Sequence, residues 1–527
     1  MNAPGRRDLL LRAVAVAAAG ALPRWAWATP GWRHDPFALG VASGDPAPDG
    51  VVLWTRLMPA APDEAAGPAT VRWELAHDER FRRIVQRGTA TALPELAHSV
   101  HVELRGLEPG RWYFYRFLHG DAASATGRTR TAPAPQALEA RLRIAFASCQ
   151  RWEHGHYAAW ADACRHAPDL VLFLGDYIYE YASPANAAGL ARVHALRQAH
   201  TLADFRDRHA LHRSDPALQA AHAVAPWAVT WDDHEVQNDY AGLSGRFAHE
   251  AGFASMRAAA YQAFYEHMPL RASVLAGGAD GSGGFAGLRL HRRLPWGRLA
   301  RIHLLDARQF RSRQACRQEG STGAGAVRPA DCPELADPAR SFLGTAQERW
   351  LDGGLAEDAG GATRWSVIAQ QTLFSPRRYP SGLQSTDAWD GYPAARARLL
   401  ASVAGHAPRN TVLLGGDIHQ NYVCNVQALE PGPEGAPSGP VLASEFCGTS
   451  ISSRSGTTQD KVDAIARLNP HVLLARCDLR GWGLADITPT RWTTVLRTVD
   501  DPLRADSAAS TLARFVVEDG QPGPVRD

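Results

Sequence analysis

The chain has 527 residues, of which 45% are hydrophobic and 21% are charged, with 47 Gly and 35 Pro. This composition is typical of a folded globular protein and excludes a chain that is mainly disordered or fibrous. The formal net charge of +2 excludes the strong positive field that nonspecific binding to nucleic acid requires, so nucleic acid is not expected as an obligate partner.

Residues 1–28 predict a twin-arginine export signal. The pair Arg6-Arg7 precedes a weakly apolar Ala/Leu/Val run, and a small-x-small cleavage pattern follows at 26–28. A short membrane anchor is the alternative, but Arg12 interrupts the apolar run, which is shorter than the ~20 residues that a membrane span needs. We therefore expect a periplasmic or secreted protein whose mature chain has no transmembrane segment.

Residues 35–130 predict an N-terminal β-sandwich domain. Short strands alternate with turns rich in Pro, Gly and Asp, a pattern typical of a fibronectin-like sandwich. The predicted strands are VVLWTRL, TVRWELAHD, RIVQRGTATA, HSVHVEL and RWYFYRFLHG.

Strands alternate with helices in the second part of the chain, predicted as one catalytic domain at 140–515. The strand LRIAFASC, the helix HYAAWADACRHAP and the strand DLVLFLGD form a βα unit that requires parallel pairing. Further apolar strands are predicted at 227–233, 300–308, 364–371, 411–417 and 441–447. The expected fold class is therefore a mixed α+β and α/β protein, in which a layered α/β core follows the sandwich.

Potential metal ligands and proton carriers stand where these apolar strands end. Because ligands of open α/β sheets gather beyond the carboxyl ends of the strands, we expect these side chains to share one site. They are Cys149; Asp176 and Tyr179; Asp232, Asp233, His234, Asn238 and Asp239; Gln370 and Gln371; Asp417 and His419.

Each of these motifs also has a structural explanation when taken alone. A Gly-Asp turn can cap the next element, and Cys149 could be a buried core thiol. The string WDDHEVQND could be a solvated acidic turn, although the apolar strand before it argues against this. A thiolate suits iron or zinc, and a phenolate and a carboxylate on one turn can both face a hard trivalent cation. Crowded carboxylates repel one another unless cations neutralise them or solvent screens them. The coincidence of five strand ends therefore favours a metal site.

Other polar groups are interpreted as structural. His154 and His156 are predicted to lie on the surface, because no carboxylates support them as a metal site. Asp306 and Arg308 are predicted to form an internal ion pair, with Arg308 as a substrate anchor the alternative. Among the seven cysteines, Cys316 and Cys332 lie in turn-rich sequence and are predicted to form a disulfide.

The motifs, in their order along the chain, resemble those of the PhoD-like alkaline phosphatases from about residue 35 to about residue 495. The resemblance rests on FALGVASGDP, VVLWTRL, IAFASCQ, FLGDYIYE, PWAVTWDDHEVQNDYAG, VIAQQTLF and LLGGDIHQNY. It implies a fibronectin-like N-terminal domain and a calcineurin-like metallophosphoesterase core, in which two β-sheets are flanked by helices. It further implies hydrolysis of phosphate monoesters and diesters at an Fe(III)–Ca(II) centre related to that of purple acid phosphatases.

The resemblance also assigns ligands to the two cations. Cys149, Asp176, Tyr179 and Asp417 match the iron ligands, with Asp176 bridging to calcium. Independently of the resemblance, this donor set suits Fe(III), whereas Ca²⁺ prefers carboxylate and amide oxygens.

The same comparison of motifs gives Asn238 as a calcium ligand and Asp233 as a weaker candidate. His234 and His419 resemble second-sphere groups that bind phosphate or protonate the leaving group. One departure from the family pattern is Cys447, where an aliphatic or small residue is expected. A Cys424–Cys447 disulfide is predicted from their proximity in sequence.

These features predict an exported, monomeric alkaline phosphatase and phosphodiesterase in which metal-activated water attacks small phosphate esters. A phospholipase D-like phosphodiesterase acting at the same site is one alternative, with phospholipid head groups or nucleotides as substrates. A noncatalytic protein that binds a surface or polymer is the alternative of another class.

Overall fold

The apolar segments of the sequence form buried strands in the computed structural model. It describes residues 35–59, 67–246, 252–276, 284–317, 324–428 and 439–527. The predicted export signal at 1–28 lies outside the described residues. Within these ranges, no helix has both the length and the apolar character needed to cross a bilayer.

A ten-stranded mixed sheet contains the first βα units of the core. Its three central strands, β9, β10 and β11, pair in parallel, because helical connections separate them along the chain. From one edge to the other the strands are β24 (Gln521–Arg526), β23 (Ala509–Glu518), β22 (Arg491–Val499), β21 (Arg480–Ile487), β9 (Leu142–Ala147), β10 (Leu170–Leu174), β11 (Trp227–Thr230), β1 (Val41–Ala47), β2 (Gly50–Arg56) and β5 (Ser99–Glu103).

A seven-stranded sheet forms the second half of the core. Its strands β13, β15, β17 and β19 pair in parallel, and the remaining pairs are antiparallel. In spatial order the strands are β12 (Arg292–Trp296), β13 (Ala300–Leu304), β15 (Trp365–Ala369), β17 (Thr411–Gly415), β19 (Val441–Cys447), β18 (Asn421–Gln427) and β20 (Val472–Arg476). A separate two-stranded ribbon pairs β14 (Ala326–Val327) with β16 (Gln384–Ser385).

The N-terminal strands form a sandwich whose first layer continues the large sheet. Strands β1, β2 and β5 face a second sheet across a common apolar cluster. That second sheet consists of β4 (Ile84–Ala92), β3 (Ala69–Ala76), β6 (Trp112–His119), β7 (Ala122–Ala123) and β8 (Gly127–Arg130). Strand β1 joins β11 where Gly44 pairs with Trp227. A Cβ at Gly44 would lie 2.5 Å from the carbonyl oxygen of Pro269, so this close approach requires glycine.

Helices cover the outer faces of the two large sheets. They are α1 (Ala158–Arg165), α2 (Leu202–Arg213), α3 (Pro216–Val224), α4 (Phe253–His267), α5 (Thr345–Gly360), α6 (Pro393–His406) and α7 (Gln459–Arg467). Short 3-10 turns occupy Pro94–Leu96, Trp152–His154, Ala272–Ala276, Phe285–Gly287, Pro329–Asp331, Pro333–Ala336 and Trp389–Gly391.

Alternate strand residues separate the core into layers, because successive side chains of a strand point to opposite faces. Leu172 of β10 and Val367 of β15 belong to the apolar cluster between the two sheets. Phe173 of β10 packs instead against the α1 to α4 side, and Ile368 of β15 packs against α5 and α6. This is the predicted arrangement of two sheets flanked by helices.

The cysteines agree with one of the two disulfide predictions. Cys316 and Cys332 form a disulfide, which confirms the first prediction. Cys424 and Cys447 are free thiols, so the second prediction is wrong. On the paired strands β18 and β19, Cys424 faces Glu445 and Cys447 faces Tyr422, so the register sets the two cysteines diagonally rather than opposite each other.

Candidate metal centre

The predicted site residues lie just beyond the carboxyl ends of parallel strands from both sheets. Ser148, which follows β9, forms a β-bridge with Ser450, which follows β19. The strands end two or three residues before the sequence pattern suggests; β11, for example, ends at Thr230. The ligand candidates are therefore on loops held by rigid strands rather than on the strands themselves.

The loop backbone is strained at five of the candidate residues, of which Asp239, with a φ of 59°, lies in the loop after β11. Cys149, Asp176, Asp417 and His419 have φ angles of 60°, 59°, 65° and 55°, in the left-handed region that costs non-glycine residues free energy. Gly175 has a φ of 111°, and a Cβ there would lie 2.5 Å from the Cβ of Asp232. Such strain persists where surrounding contacts fix the geometry, and it commonly occurs at functional sites.

The first group of side chains lies around Asp176 and Tyr179. Ligand atoms of Cys149, Asp176 and His419 lie within 4.8 Å of one another. The Tyr179 hydroxyl donates to Asp176 Oδ2 at 2.9 Å and lies 3.1 Å from His419 Nε2. Ser453 Oγ donates to the same hydroxyl at 2.8 Å. The structure therefore brings a thiol, a phenol, a carboxyl and an imidazole together.

Asp417 lies in the loop that follows β17. It is half-buried, and its charge acts on the Cys149 thiol. Burial raises the pKa of Asp417 well above its usual range, and Asp232 raises it further, against the opposing effect of Arg308.

The second group shares Asp176 with the first. Ligand atoms of Asp176, Asp233 and His234 lie within 4.8 Å of one another. Asp233 Oδ2 accepts a hydrogen bond from the backbone N–H of Asp239 at 2.6 Å. The other carboxyl oxygens, Asp176 Oδ1 and Asp233 Oδ1, are buried and have no hydrogen-bond partner. Two buried acceptors without donors are what a pair of adjoining cation sites would leave.

Asn238 lies in the loop that carries Asp233 and His234. It is half-buried, and its backbone N–H donates to Glu180 Oε1 at 2.9 Å. Glu180 Oε2 accepts a hydrogen bond from His234 Nδ1 at 2.7 Å. One buried carboxylate thus fixes two of the predicted site residues.

Burial and crowding disfavour the ionised form of the ligand candidates. Burial raises the pKa of Cys149 and of Tyr179 well above their usual values, and the charge of Asp176 raises both further. Burial likewise raises the pKa of Asp176, which His234 partly counteracts and Asp233 reinforces. A bound cation would reverse this balance, because coordinating thiol and phenol groups are deprotonated.

The two candidate histidines have opposite electrostatic surroundings. Burial opposes protonation of His234, but Glu180, Asp176 and Asp233 together raise its pKa well above the usual value. Burial and the charge of Arg480 lower the pKa of His419 to about 3. The Nδ1–H of His419 donates to the carbonyl oxygen of Arg454 at 2.8 Å. These surroundings favour the protonated form of His234 and the neutral form of His419.

Arg308 has partners other than the predicted Asp306, so that ion-pair prediction is wrong. Its Nε donates to Asp232 Oδ1 at 2.6 Å, and its Nη1 donates to Asp387 Oδ1 at 2.8 Å. Asp306 instead accepts a hydrogen bond from Trp231 Nε1 at 2.8 Å. Because the carboxylate of Asp232 is bound by Arg308, we interpret Asp232 as a structural residue of the site and not as a metal ligand.

The side chains of the two candidate glutamines, Gln370 and Gln371, form hydrogen bonds within the fold. Gln371 Nε2 donates to Thr230 Oγ1 at 2.9 Å and to the carbonyl oxygen of Leu305 at 2.9 Å, which ties the two sheets together. Gln370 accepts from Trp389 Nε1 at 2.6 Å. His154, predicted on the surface, is half-buried beside the site, where its Nδ1 accepts from the Arg454 N–H at 3.1 Å.

The sequence interpretation missed two buried glutamates. Glu235 accepts backbone N–H groups from Asp176, Tyr177 and Asp232 at 3.2, 2.5 and 2.9 Å. Glu180 binds His234 and Asn238, as described above. For Glu180 the available signal was its place directly after the apolar string YIY, because an unpaired carboxylate is rarely buried. Glu235 stands in the charged string DDHE, which offered no such signal.

Two family models match the chain. The model described as PhoD-like phosphatase matches residues 144–496, and the model described as PhoD-like phosphatase, N-terminal domain, matches residues 24–133. Alkaline phosphatase D of Bacillus subtilis (strain 168) is 42% identical over 509 residues, covering 94% of this chain and 83% of the relative.

Solved structures give the same relationship. A structure described as "Structure of PhoD" has a TM-score of 0.85 and 40% identity, covering 94% of this chain and 93% of that chain. A purple acid phosphatase isolated from yellow lupin (Lupinus luteus) seeds has a TM-score of 0.54 and 12% identity, covering 91% and 73% of the two chains. At that identity the second similarity shows the fold alone, and together they confirm the predicted fold class.

Proposed function

The chain belongs to the PhoD-like phosphatases, a family of phosphoric ester hydrolases, and we propose that it is an exported, metal-dependent alkaline phosphatase and phosphodiesterase. Its proposed substrates are small phosphate monoesters and diesters. The relative from Bacillus subtilis carries the name alkaline phosphatase D, which supports the first of these activities.

One observation carries the proposal of metal dependence. Asp176 belongs to both groups of potential ligands, and it retains a buried carboxyl oxygen without a hydrogen-bond partner. A carboxylate between two ligand groups is suited to bridge two cations. The strained backbone at Asp176 and Cys149 supports a site fixed before the metal binds.

The donor chemistry fits an Fe(III)–Ca(II) pair. We assign Cys149, Asp176, Tyr179 and Asp417 to iron, and Asp176, Asn238 and, less strongly, Asp233 to calcium. Thiolate and phenolate suit the first ion, and amide and carboxylate oxygens suit the second. When bound, two such cations polarise phosphoryl oxygens and lower the pKa of a coordinated water.

The chain's own residues would supply proton transfer and positioning. His234 is the proposed source of the proton for the leaving alcohol, because its Nδ1–H is held by Glu180 and its other nitrogen remains for the substrate. His419, neutral and oriented by the carbonyl of Arg454, is proposed to hydrogen-bond the phosphoryl group. Glu180 and Glu235 hold the loop after β10 and the loop after β11 together.

Export and domain organisation are part of the proposal. We assign residues 1–28 to the export signal, 35–130 to the sandwich domain and 140–515 to the catalytic domain. The sandwich has its own apolar cluster, separate from the cluster between the two large sheets, which supports this division.

The alternative of a noncatalytic binding protein finds little support, because all predicted ligand positions are present and lie at one edge of the fold. A phospholipase D-like activity would use the same residues, so only substrate preference distinguishes it.

The test is a comparison of substrates combined with metal analysis. Purified mature protein should release phosphate from p-nitrophenyl phosphate, cleave bis-p-nitrophenyl phosphate and contain iron and calcium. Faster turnover of phosphatidylcholine than of both aryl esters would favour the phospholipase alternative. Protein that contains only zinc would contradict the metal assignment, and folded, metal-loaded protein that cleaves none of the esters would contradict the proposed activity.

A further inference from the structure

A group of fully buried polar side chains has few hydrogen-bond partners, and His222 Nε2 is bound by the Tyr177 hydroxyl at 2.8 Å. We define the Arg213 cluster as Arg213 and His209 of α2, Tyr115 of β6, Ser43 of β1 and His222 of α3. Each is 0% exposed. Both ring nitrogens of His209 and His222 Nδ1 have no hydrogen-bond partner. The Tyr177 hydroxyl is the polar group beside the Arg213 guanidinium, and the hydroxyls of Tyr115 and Ser43 lie beside each other.

The guanidinium of Arg213 connects these groups electrostatically. The charge of Arg213 acts on Tyr115, His209 and His222, and the Tyr115 hydroxyl points toward Ser43. The ring of His209 stacks on His267 with a centroid distance of 4.8 Å. The N-terminal sheet layers and helices α2 and α3 therefore converge on one enclosed polar region.

Arg213 is a buried cation without a described counter-ion. Among the described residues, no carboxylate forms an ion pair with its guanidinium; the neighbours of that group are the hydroxyls of Tyr115 and Tyr177 and the ring of Trp54, 4.1 Å away. The cation–π contact with Trp54 offsets only part of the cost of burying the charge. Arg308, which is equally buried, binds the carboxylates of Asp232 and Asp387. Arg208 forms no described ion pair with a carboxylate, but its guanidinium binds His194 and the carbonyl oxygen of Arg197.

The lining groups are suited to an anion. Arg213 offers only donors, and the hydroxyls of Tyr115 and Ser43 can each donate. A neutral histidine donates through one of its two nitrogens, so His209 and His222 can orient a proton inward. Water could satisfy individual donors, but it carries no charge to balance the guanidinium.

We propose that the Arg213 cluster binds a small inorganic anion of the halide class inside the folded protein. The full burial of all five residues requires an ion small enough to be enclosed during folding or admitted by local opening. The site is separate from the proposed metal centre and does not depend on the assigned activity.

The first test uses stability. In wild-type protein, replacing sodium gluconate by sodium chloride at constant ionic strength should raise the unfolding temperature saturably, by about 2 °C or more, because an ion that binds only the folded state stabilises it by mass action. The variant Arg213→Met should lose this chloride dependence. The matched control Arg396→Met removes a buried arginine that Asp390 already pairs, and it should keep the dependence.

The second test locates the ion directly and does not require a foldable variant. Crystals of the wild-type protein grown in bromide should show an anomalous peak in contact with the Arg213 guanidinium. Equal unfolding temperatures in chloride and gluconate, or a bromide-grown crystal with only water at this position, would overturn the proposal.

Discussion

Glu180 and Glu235 each bind the loop that carries the other. Glu180 follows β10 and binds His234 and Asn238 of the loop after β11. Glu235 lies in that second loop and accepts backbone N–H groups of Asp176 and Tyr177 in the first. The exchange fixes the two loops as one unit, which is the kind of support that precise ligand geometry needs.

The reciprocal arrangement predicts different effects for the two glutamates. Glu180→Gln should lower turnover about 10–100-fold, and more for alkyl phosphates than for p-nitrophenyl phosphate, because poor leaving groups depend on the proton of His234. Glu235→Gln should instead lower the metal content, because it frees the backbone of Asp176. Steady-state kinetics with both ester types and elemental analysis of each variant measure this. Equal losses on the two esters for Glu180→Gln would contradict the role of Glu180.

Replacing the shared carboxylate should abolish activity with little change in fold. We expect Asp176→Asn to lower phosphate release by at least about 10³-fold, because it weakens the bridge between the two ligand groups. Far-ultraviolet circular dichroism should remain unchanged. Asp519→Asn, which removes a surface partner of Arg409, is the matched control and should retain activity. Wild-type rates in Asp176→Asn would refute the site assignment.

Metal removal should separate the two cations. Chelation of calcium with EGTA should eliminate activity reversibly, and added Ca²⁺ should restore it. Cys149→Ser should lose iron preferentially, because the thiolate is the softest donor of the set. Elemental analysis before and after dialysis measures both effects. Retention of full iron content in Cys149→Ser would show that the thiol is not a ligand.

The Cys316–Cys332 disulfide should contribute to stability and not to catalysis. Its loop of 16 residues corresponds to about 3 kcal/mol in the chain-entropy model. The double variant Cys316→Ser/Cys332→Ser should therefore unfold at lower denaturant concentration, with unchanged kinetics toward p-nitrophenyl phosphate. Identical denaturation midpoints for oxidised wild type and the double variant would contradict this prediction.

Asp162 should make stability depend on pH in the acid range. Its carboxylate accepts hydrogen bonds from Arg497 Nε and Trp482 Nε1, both at 3.0 Å, which fastens α1 to β21 and β22. Burial alone would raise the pKa of Asp162. The hydrogen bonds from Arg497 and Trp482 lower this pKa by more, so the net shift is downward. The carboxylate's stabilisation is thus present above its unfolded pKa of about 4 and is lost as the pH falls through the lower folded pKa.

The measurement for Asp162 compares wild type with Asp162→Asn. Denaturant unfolding should show the variant less stable at pH 7, with a difference that shrinks as the pH falls below about 4. A difference that is the same at both ends of this range would show that the charge of Asp162 does not contribute.

The sequence predicts most of the strands and the position of the site, because apolar runs and the polar residues after them depend on local pattern. The strands β9, β10, β15 and β17 begin within a residue of the predicted segments. Their predicted ends extend too far, because the strained turns at Cys149 and Asp417 depend on contacts from other strands.

Long-range partners could not be read from the sequence. Arg308 meets Asp387, 79 residues away, only because the folded loops converge, whereas the nearby Asp306 turns toward Trp231. The Cys424–Cys447 pairing failed for a related reason, since strand register decides which side chains face each other and sequence proximity does not.

The pairing of β1 with β11 has a consequence for truncation. Strand β11 precedes the loop that carries Asp233 and His234, and β1 covers its outer edge. A fragment that lacked the first 130 residues would leave the backbone N–H and C=O groups of β11 on an open sheet edge, where they could pair with a second molecule. The sandwich therefore protects the strand beside the proposed metal centre from aggregation, and expression of the catalytic region alone should yield insoluble protein.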